Sequence, residues 1–552
     1  MDNNKLAELL FPEITKQPEY YEDLFPMRNL KSGAKVTRLA PSPTGFIHLG
    51  NLYGAFIDER LARQSGGVFY LRIEDTDDKR FVEGAVDTII TSLAFFGIDF
   101  DEGALPSGDS GTYGPYCQSL RAVIYQCYVK QMLMNDQAYP CFLTEEEIAY
   151  IRGEQEKNKE TPGVYGKWAT SRSLSYEQIE ANINSGLPYV IRLKSKGAGG
   201  QIQVEDGIRG MLAMPENYHD VVILKKNGIP TYHFAHVIDD HLMRTTHVVR
   251  GEEWLSSLPI HIELFNALNF PLPVFCHTAQ LMKLDEDGNR RKLSKREDPE
   301  LSLDYYRSAG YYPGAVREYL LTIINSNYEE WRGLNPDSDV CEFPFSLGKM
   351  SISGALFDLN KLNDVCKDVL LKVPAAELCK FLISWAGEFE PEAAAILGND
   401  ISYVEKILDI GRGGNKPRKD LLFARQIFEF INYFFDEFFT IMDEVPSNVS
   451  CDDVDAILSA YLESYCHGDD REQWFDKIRK LGEDCGYAAK PKDYKNSPGH
   501  YKGHVGDVST VIRIAVTGRA QSPDIWEIQQ ILGEERTRTR ILKYSAGLNE
   551  DT

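Results

Sequence analysis

The chain has no run of eighteen consecutive apolar residues, so the sequence indicates no membrane-spanning helix. Its opening residues, MDNNKLAELLFPEITKQ, lack the basic, apolar and small-residue regions of a secretory signal and read instead as a short amphipathic segment. None of the ten cysteines stands in a C-x-x-C pair. In a long chain with no such leader, free buried thiols are expected rather than disulfides, and a cytoplasmic location follows as an inference. Internal repeats and long low-complexity tracts are missing too. Positive charge is in deficit: 60 Lys and Arg face 83 Asp and Glu, a net charge of −23. That balance argues superficially against a nucleic-acid partner, but binding depends on local basic patches rather than on the total. Three such patches are present, Arg290–Lys295, Arg412–Lys419 and Arg536–Lys543, and each taken alone reads equally well as a solvated surface.

What remains is a chain of 552 residues, 43% hydrophobic and 26% charged, too long for one ordinary core and composed like a soluble multidomain protein. KVTRLA (35–40) alternates as a strand does, and PSPTG follows as a turn. From about His48 to Ser65 the spacing of Leu52, Ala55, Phe56 and Leu61 predicts a helix that Gly66-Gly67 stops, and VFYLRIE (68–74) is a second strand. This strand–turn–helix–strand order opens a parallel α/β sheet. A more irregular stretch over 103–214 reads as an insertion, with helical pieces at 120–135 and 145–156 and a strand at 189–194. The α/β pattern is expected to resume at 220–225 and to run through Phe275. Beyond about Phe345 the chain reads as almost entirely helical, with amphipathic segments at 375–385, 392–407, 420–438, 454–465 and 472–486. The polar run 490–506 is expected to be a loop or linker.

Two constellations carry chemistry. The first, Pro41-Ser42-Pro43-Thr44-Gly45-Phe46-Ile47-His48-Leu49-Gly50-Asn51, lies between the first strand and its helix. A helix start at that place offers free N–H groups to phosphates, Gly50 permits close approach of a flat base or triphosphate, and His48 is placed to donate to phosphoryl oxygens. An H-x-G by itself is weak and also reads as a capped helix with a chance histidine. The second constellation runs from Arg291 through Lys292-Leu293-Ser294-Lys295-Arg296. A cationic loop of this kind suits a pyrophosphate leaving group, whose charge it neutralises as the bond breaks; alone, it reads as well as a solvated basic loop.

Together the two resemble the HIGH and KMSKS signatures of class I aminoacyl-tRNA synthetases, with His48-Leu49-Gly50-Asn51 as the first and Lys292-Leu293-Ser294-Lys295-Arg296 as the second. The blocks VTRLAPSPTGFIHLGN, FYLRIEDTD, PTYHFAHVIDDHLMRTTHVVRGEEWLSS, RKLSKR and VIRIAVTGRAQSPDIWEIQQILGEER are similar to successive blocks of glutamyl-tRNA synthetases, so the likeness spans nearly the whole chain. The resemblance implies catalytic roles for His48, Gly50, Lys292 and Lys295. It implies ATP contacts from Thr44, His48, Gly50, Asn51, Glu253, Trp254 and Lys295. Arg38 and Arg250 match positions that receive the substrate carboxylates, Glu74 the position that holds the α-ammonium, and Ser42 and Tyr232 polar positions of the same pocket. A planar guanidinium grips carboxylate by a two-point fork that lysine cannot copy. His236 stands where the family often has asparagine, an imidazole for an amide, and is counted with the glutamate-binding residues; a tolerated change behind the pocket is the other reading. Asp77 is expected on the tRNA side. Some family members hold zinc in the insertion through several cysteines; here Cys141 is the one thiol left in the matching run, so no zinc and no other protein-held metal is expected. Mg2+ is expected to arrive with ATP.

The expected fold is α/β plus all-α. Residues 1–30 form an N-terminal extension. A Rossmann-type catalytic domain occupies 31–102 and 215–275, split by an acceptor-stem-binding insertion at 103–214. A connecting domain with the KLSKR loop spans 276–360, and a helical anticodon-binding region 361–552. The expected activity is that of a glutamate–tRNA ligase acting on L-glutamate, ATP and tRNA(Glu), as a monomer. The rivals are a glutaminyl-tRNA synthetase, whose anticodon region is a β-barrel, a truncated relative that glutamylates a modified base, and a catalytically inactive tRNA-binding paralogue.

Overall fold

The structure is a computed structural model that describes residues 2–43, 47–77, 82, 84–413 and 417–550, with side chains through 547. It divides into two compact units. The first runs to Tyr305 and resumes over Arg317–Asp358; the second comprises Tyr306–Val316 and Leu359 onward.

In the first unit, α1 (Asn3–Leu10) and α2 (Pro18–Leu24) precede β1 (Val36–Leu39), α3 (Leu49–Ser65) and β2 (Val68–Leu71). The chain continues through α4 (Ala85–Phe95), β3 (Glu102–Leu105), β4 (Gly108–Ser110), α5 (Ala122–Met134), β5 (Ala138–Cys141), α6 (Glu145–Lys157), α7 (Tyr176–Asn184) and β6 (Val190–Leu193). Then follow β7 (Gln201–Asp206), β8 (Gly210–Pro215), β9 (Val222–Leu224), α8 (Tyr232–Leu242), β10 (His247–Gly251), α9 (Leu258–Ala267) and β11 (Val274–Thr278). Strands β1, β2 and β3 are parallel, and so are β10, β11 and β7; β4 and β8 add antiparallel edges. The two groups meet where the Thr246 N–H donates to the Val36 carbonyl at 2.9 Å.

All four residues of β1 are buried, as are the last three of β2, which fits strands covered on both faces. The helix between them ends as its glycines require. Gly66 takes the left-handed conformation (φ 66°), and a Cβ on Gly67 would lie 1.9 Å from the Lys35 carbonyl oxygen.

The strand expected at 220–225 as the return of the α/β pattern is β9, and it pairs with β6 in a separate small sheet, β5-β6-β9. Conversely β7 and β8, which lie within 103–214, pair beside β11 on the main sheet. Sequence periodicity gives the existence of a strand but not its partner. The helix expected at 120–135 is α5, which a 3-10 turn over Gln118–Arg121 leads into.

The N-terminal segment is tied down on both parts. Lys130 of α5 donates to the carbonyls of Phe11 and Ile14, Glu22 of α2 receives His241 and Arg244, and Arg28 forms a two-point pair with Glu102 at 2.8 and 2.9 Å. Beneath the main sheet lies a buried array of charges. Asp240 accepts from Arg72 at 2.7 Å and from Arg38 at 3.2 Å, while the adjacent Asp239 accepts from Arg121 (2.6 Å), Tyr125 (2.7 Å) and Gln118 (2.9 Å). Removing one partner from such an array costs about 3–5 kcal/mol, because the other charge stays buried.

The second unit is helical. The helix Ala375–Phe389 buries Leu378, Cys379, Leu382, Trp385 and Ala386, a single stripe at helical spacing. It shares one apolar core with Cys451–Ser464, Arg471–Asp484, Val505–Thr517 and Ile525–Leu532. Two expected helices are shorter than their patterns. The segment 392–407 is two helices, Pro391–Asn399 and Ile401–Asp409, because the Asp400 side chain caps the second by accepting from the Tyr403 N–H at 2.9 Å. The segment 420–438 holds only Ala424–Ile431 and a 3-10 turn. Tyr433, Phe434 and Phe435 are all buried, and no one helix face can bury three consecutive residues. Within the expected linker 490–506, Pro491–Asn496 forms a short helix with Pro at its start.

Candidate functional site

A cavity of about 530 Å3 opens at the carboxyl ends of β1, β2, β10 and β11 in the first unit, where parallel sheets place their ligands. Of the residues singled out in the sequence, Arg38, Pro41, Ser42, His48, Gly50, Asn51, Glu74, Tyr232, Arg250, Glu253, Trp254, Lys292, Leu293 and Lys295 line it. Residues more than 250 positions apart thus converge on one space. Thr44, Gly45 and Phe46 lie outside the described residues. Asp77 is exposed and is not among the lining residues. Ser294 and Arg296 are not among the lining residues, and His236 is fully buried behind Tyr232, their rings nearly parallel at 5.6 Å.

Position by position, the local chemistry explains the sequence. His48 precedes α3, and its backbone N–H donates to the Asn51 side chain at 3.1 Å, which closes the helix start. The His48 ring lies over Gly50: a Cβ there would be 2.9 Å from both Cε1 and Nδ1. The H-x-G spacing is therefore steric. His48 also forms an isolated backbone bridge to Ser302, just past the basic loop. Burial, then Lys295 and Lys292, push its pKa down to about 4, so at neutral pH the ring is an uncharged hydrogen-bond donor.

The second motif leaves the sheet through β12 (Leu281–Leu284) and β13 (Arg290–Lys292), which form an antiparallel hairpin, with β14 (Ala355–Leu356) on the other side of β12. Leu293 is buried and pins the loop, leaving Lys292 and Lys295 exposed. Asp298 fixes the loop from inside, accepting from Arg291 Nη1 (2.6 Å) and Nη2 (2.7 Å) and from the Ser294 N–H (2.8 Å). These bonds hold its carboxyl well below the usual range.

The two arginines meet different surroundings. Arg38 is paired with Asp240 and also donates to the Val249 carbonyl at 3.3 Å. Arg250, at the end of β10, donates through Nε to His277 Nε2 (3.0 Å) and through Nη1 to His261 Nδ1 (2.9 Å). Glu74 accepts from Arg72 at 3.0 Å, and burial raises its pKa. His236 Nδ1 is 2.7 Å from Asp240 Oδ2, yet burial and the nearby Arg250 and Arg38 cations push its pKa down to about 3.

Several participants were not singled out in the sequence: Asp239, Asp240, Arg72, His261, His277 and Asp298. Asp239-Asp240 sat inside a quoted block, and a doubled aspartate on an apolar helix was the available signal. Cys141 is buried in β5, and among the described residues no group of three or more His, Cys, Asp or Glu is gathered to hold a metal ion. Among the described residues, no helix is long and apolar enough to cross a membrane.

Comparisons with known proteins agree with this geometry. Residues 35–337 match the model for the catalytic domain of class I tRNA synthetases (E and Q), and residues 501–544 match an anticodon binding domain. The glutamate–tRNA ligase of Acetivibrio thermocellus is 62% identical over 543 residues, covering 98% of this chain and 99% of its own. That of Thermus thermophilus is 34% identical, covering 92% and 98%. Among solved structures, a glutamate tRNA ligase from Elizabethkingia meningosepticum in complex with its amino acid is 27% identical with a TM-score of 0.71, over 93% of this chain and 99% of that one. Matched along nearly its full length, with both motifs lining one cavity, the chain belongs to the glutamate–tRNA ligase family of class I aminoacyl-tRNA synthetases.

Proposed function

We propose that the protein activates L-glutamate with ATP to glutamyl-adenylate and then transfers the glutamyl group to the 3′-terminal adenosine of tRNA(Glu), releasing AMP and pyrophosphate, as a cytoplasmic monomer. The observation that carries this reading is the meeting of His48, Gly50, Lys292 and Lys295 with Arg38, Glu74 and Arg250 in one cavity. Two guanidinium groups and one carboxylate are the complement of an amino acid with two carboxylates and an ammonium.

The glutamate α-carboxylate attacks the ATP α-phosphorus, and pyrophosphate departs. Neutral His48 donates to phosphoryl oxygens, and Lys292 and Lys295 offset the charge gathering on the leaving group. Mg2+ accompanies the ATP phosphates and shares their charge. The ribose hydroxyl of the tRNA end then attacks the adenylate carbonyl. No side chain need bond covalently to substrate; positioning and electrostatics suffice. The insertion around β5-β6-β9 is assigned to the acceptor stem and the helical unit to the anticodon.

The test is glutamate-dependent pyrophosphate exchange, measured with and without tRNA(Glu). Strong exchange with tRNA and near-zero exchange without it is expected, as in the family this chain resembles. No glutamate-dependent exchange under either condition would remove the reading. Arg250→Lys should raise the KM for glutamate far more than that for ATP, because the charge stays while the fork is lost.

A further inference from the structure

The arginine at the end of β10 is held in an uncommon way. Arg250, His261, His277 and Asp206 are all buried, and among the described residues no carboxylate forms an ion pair with this guanidinium. Asp240, the acid that reaches it electrostatically, is already shared by Arg38 and Arg72. Burial lowers the Arg250 pKa, as expected for a cation without a counter-ion. One face of the guanidinium lies 5.1 Å from the Phe275 ring, and Tyr232 flanks it. Its remaining nitrogen, Nη2, is buried and bonded to neither histidine, with the neutral Tyr232 as the other polar neighbour of the guanidinium, and the residue borders the cavity.

Arginine can only donate, so both imidazole nitrogens that meet it must accept, and this fixes each ring's tautomer. His277 accepts at Nε2 and therefore carries its proton on Nδ1, which donates to Asp206 Oδ2 at 2.6 Å. His261 accepts at Nδ1 and carries its proton on Nε2, which donates to His233 Nδ1 at 2.9 Å. Burial holds both rings in the neutral form, with Arg250 itself opposing their protonation.

We infer that His261 and His277 are positioning residues for Arg250: two neutral acceptors orient the guanidinium without neutralising it, so that its whole charge and its Nη2 are kept for a substrate carboxylate. The inference rests on the reading that Arg250 receives a carboxylate of glutamate. A carboxylate in place of either imidazole would fix the fork equally well but would compete with the substrate. The buried cation without a counter-ion costs folding free energy, and the apolar Phe275 face together with two acceptors offsets part of it.

The experiment separates orientation from charge. Asparagine at 261 presents an acceptor near the Nδ1 position without charge, aspartate presents the same acceptor with charge, and leucine presents neither. In tRNA-dependent pyrophosphate exchange, His261→Asn should stay within a few-fold of the parent in glutamate KM. His261→Leu should raise it about tenfold to a hundredfold, the loss expected for a hydrogen bond to a buried charge. His261→Asp should raise it at least as far as leucine does. The KM for ATP should be unchanged in all three. A parent-like His261→Leu would overturn the inference, and so would an aspartate variant that matches the asparagine one. Arg250→Met is the control on the underlying reading. If it leaves glutamate KM unchanged, Arg250 is no substrate clamp; if it raises KM while the histidine variants do not, only the positioning role is lost. Should the leucine variant not fold, 15N spectra of histidine-labelled parent protein decide independently: His277 must be the neutral Nδ1–H tautomer and His261 the neutral Nε2–H tautomer at pH 7. An imidazolium at either position would overturn the inference.

Discussion

Gly50→Ala isolates the steric link inside the first motif. The added methyl would lie 2.9 Å from Cε1 and Nδ1 of His48. Comfortable contact between such atoms begins at about 3.5 Å, so the ring must retreat by roughly 0.6 Å or more, or change rotamer. The backbone does not object: Gly50 is in the first turn of α3, and alanine is the better helix former by up to about 1 kcal/mol. The variant is therefore expected to melt no lower than the parent while losing about a hundredfold in adenylate formation, the usual consequence of misplacing a positioned group by about 1 Å. Pyrophosphate exchange with tRNA present measures the activity, and thermal unfolding by circular dichroism measures the stability. The same change in a His48→Ala background should cost much less, because the ring it displaces is gone, so a double-mutant cycle should show coupling. Exchange within threefold of the parent, or full additivity with His48→Ala, would refute the steric link.

Asp298→Asn should disorder the basic loop without touching Lys292 or Lys295, since three of the loop's hydrogen bonds converge on that one carboxylate; exchange should fall about tenfold or more, and an unchanged rate would show that the loop needs no internal anchor. His236→Asn should fold and should alter glutamate KM through Asp240 and Arg38 rather than by direct contact; an effect confined to ATP KM would disprove that route. The same variant bears on acid stability. His236 titrates at about 3 in the folded state against an ordinary 6.5, so the unfolded chain takes the proton first. Stability from the neutral ring is complete above pH 6.5 and is lost as pH falls towards 3, at up to about 1.4 kcal/mol per pH unit. Urea titrations between pH 7 and pH 4.5 should show a shallower loss for His236→Asn, and parallel losses in both proteins would count against the buried neutral imidazole.

The first strand, the helix after it and that helix's end were legible because they are local: KVTRLA, the spacing of Leu52, Ala55, Phe56 and Leu61, and the Gly66-Gly67 stop each carry their own physical signal within a few residues. The convergence of Arg38, Arg250 and Lys295 on one cavity was not a local matter, and only the family resemblance linked them in advance. Strand partners were opaque for the same reason. A short apolar run at Val222–Leu224 says nothing about whether it joins β6 or the main sheet. The histidines around Arg250 were invisible because a buried imidazole looks like any other core residue until its neighbours are known. Helix lengths in the second unit failed where one side chain decides, as Asp400 does by capping.

The doubled aspartate of α8 has a consequence for protein engineering. Asp239 answers to Gln118 and Arg121 in the 3-10 turn before α5 and to Tyr125 in α5 itself, and Asp240 answers to Arg38 and Arg72 on the main sheet. The two are successive residues of one rigid helix. The stretch 103–214 is therefore not freely exchangeable: a graft of it taken from a relative must carry partners for Asp239 at positions 118, 121 and 125, or it will strand a carboxylate one residue away from the group that holds Arg38. Chimaeras cut on either side of that stretch should be judged first by those three side chains, and only then by how well their loops join.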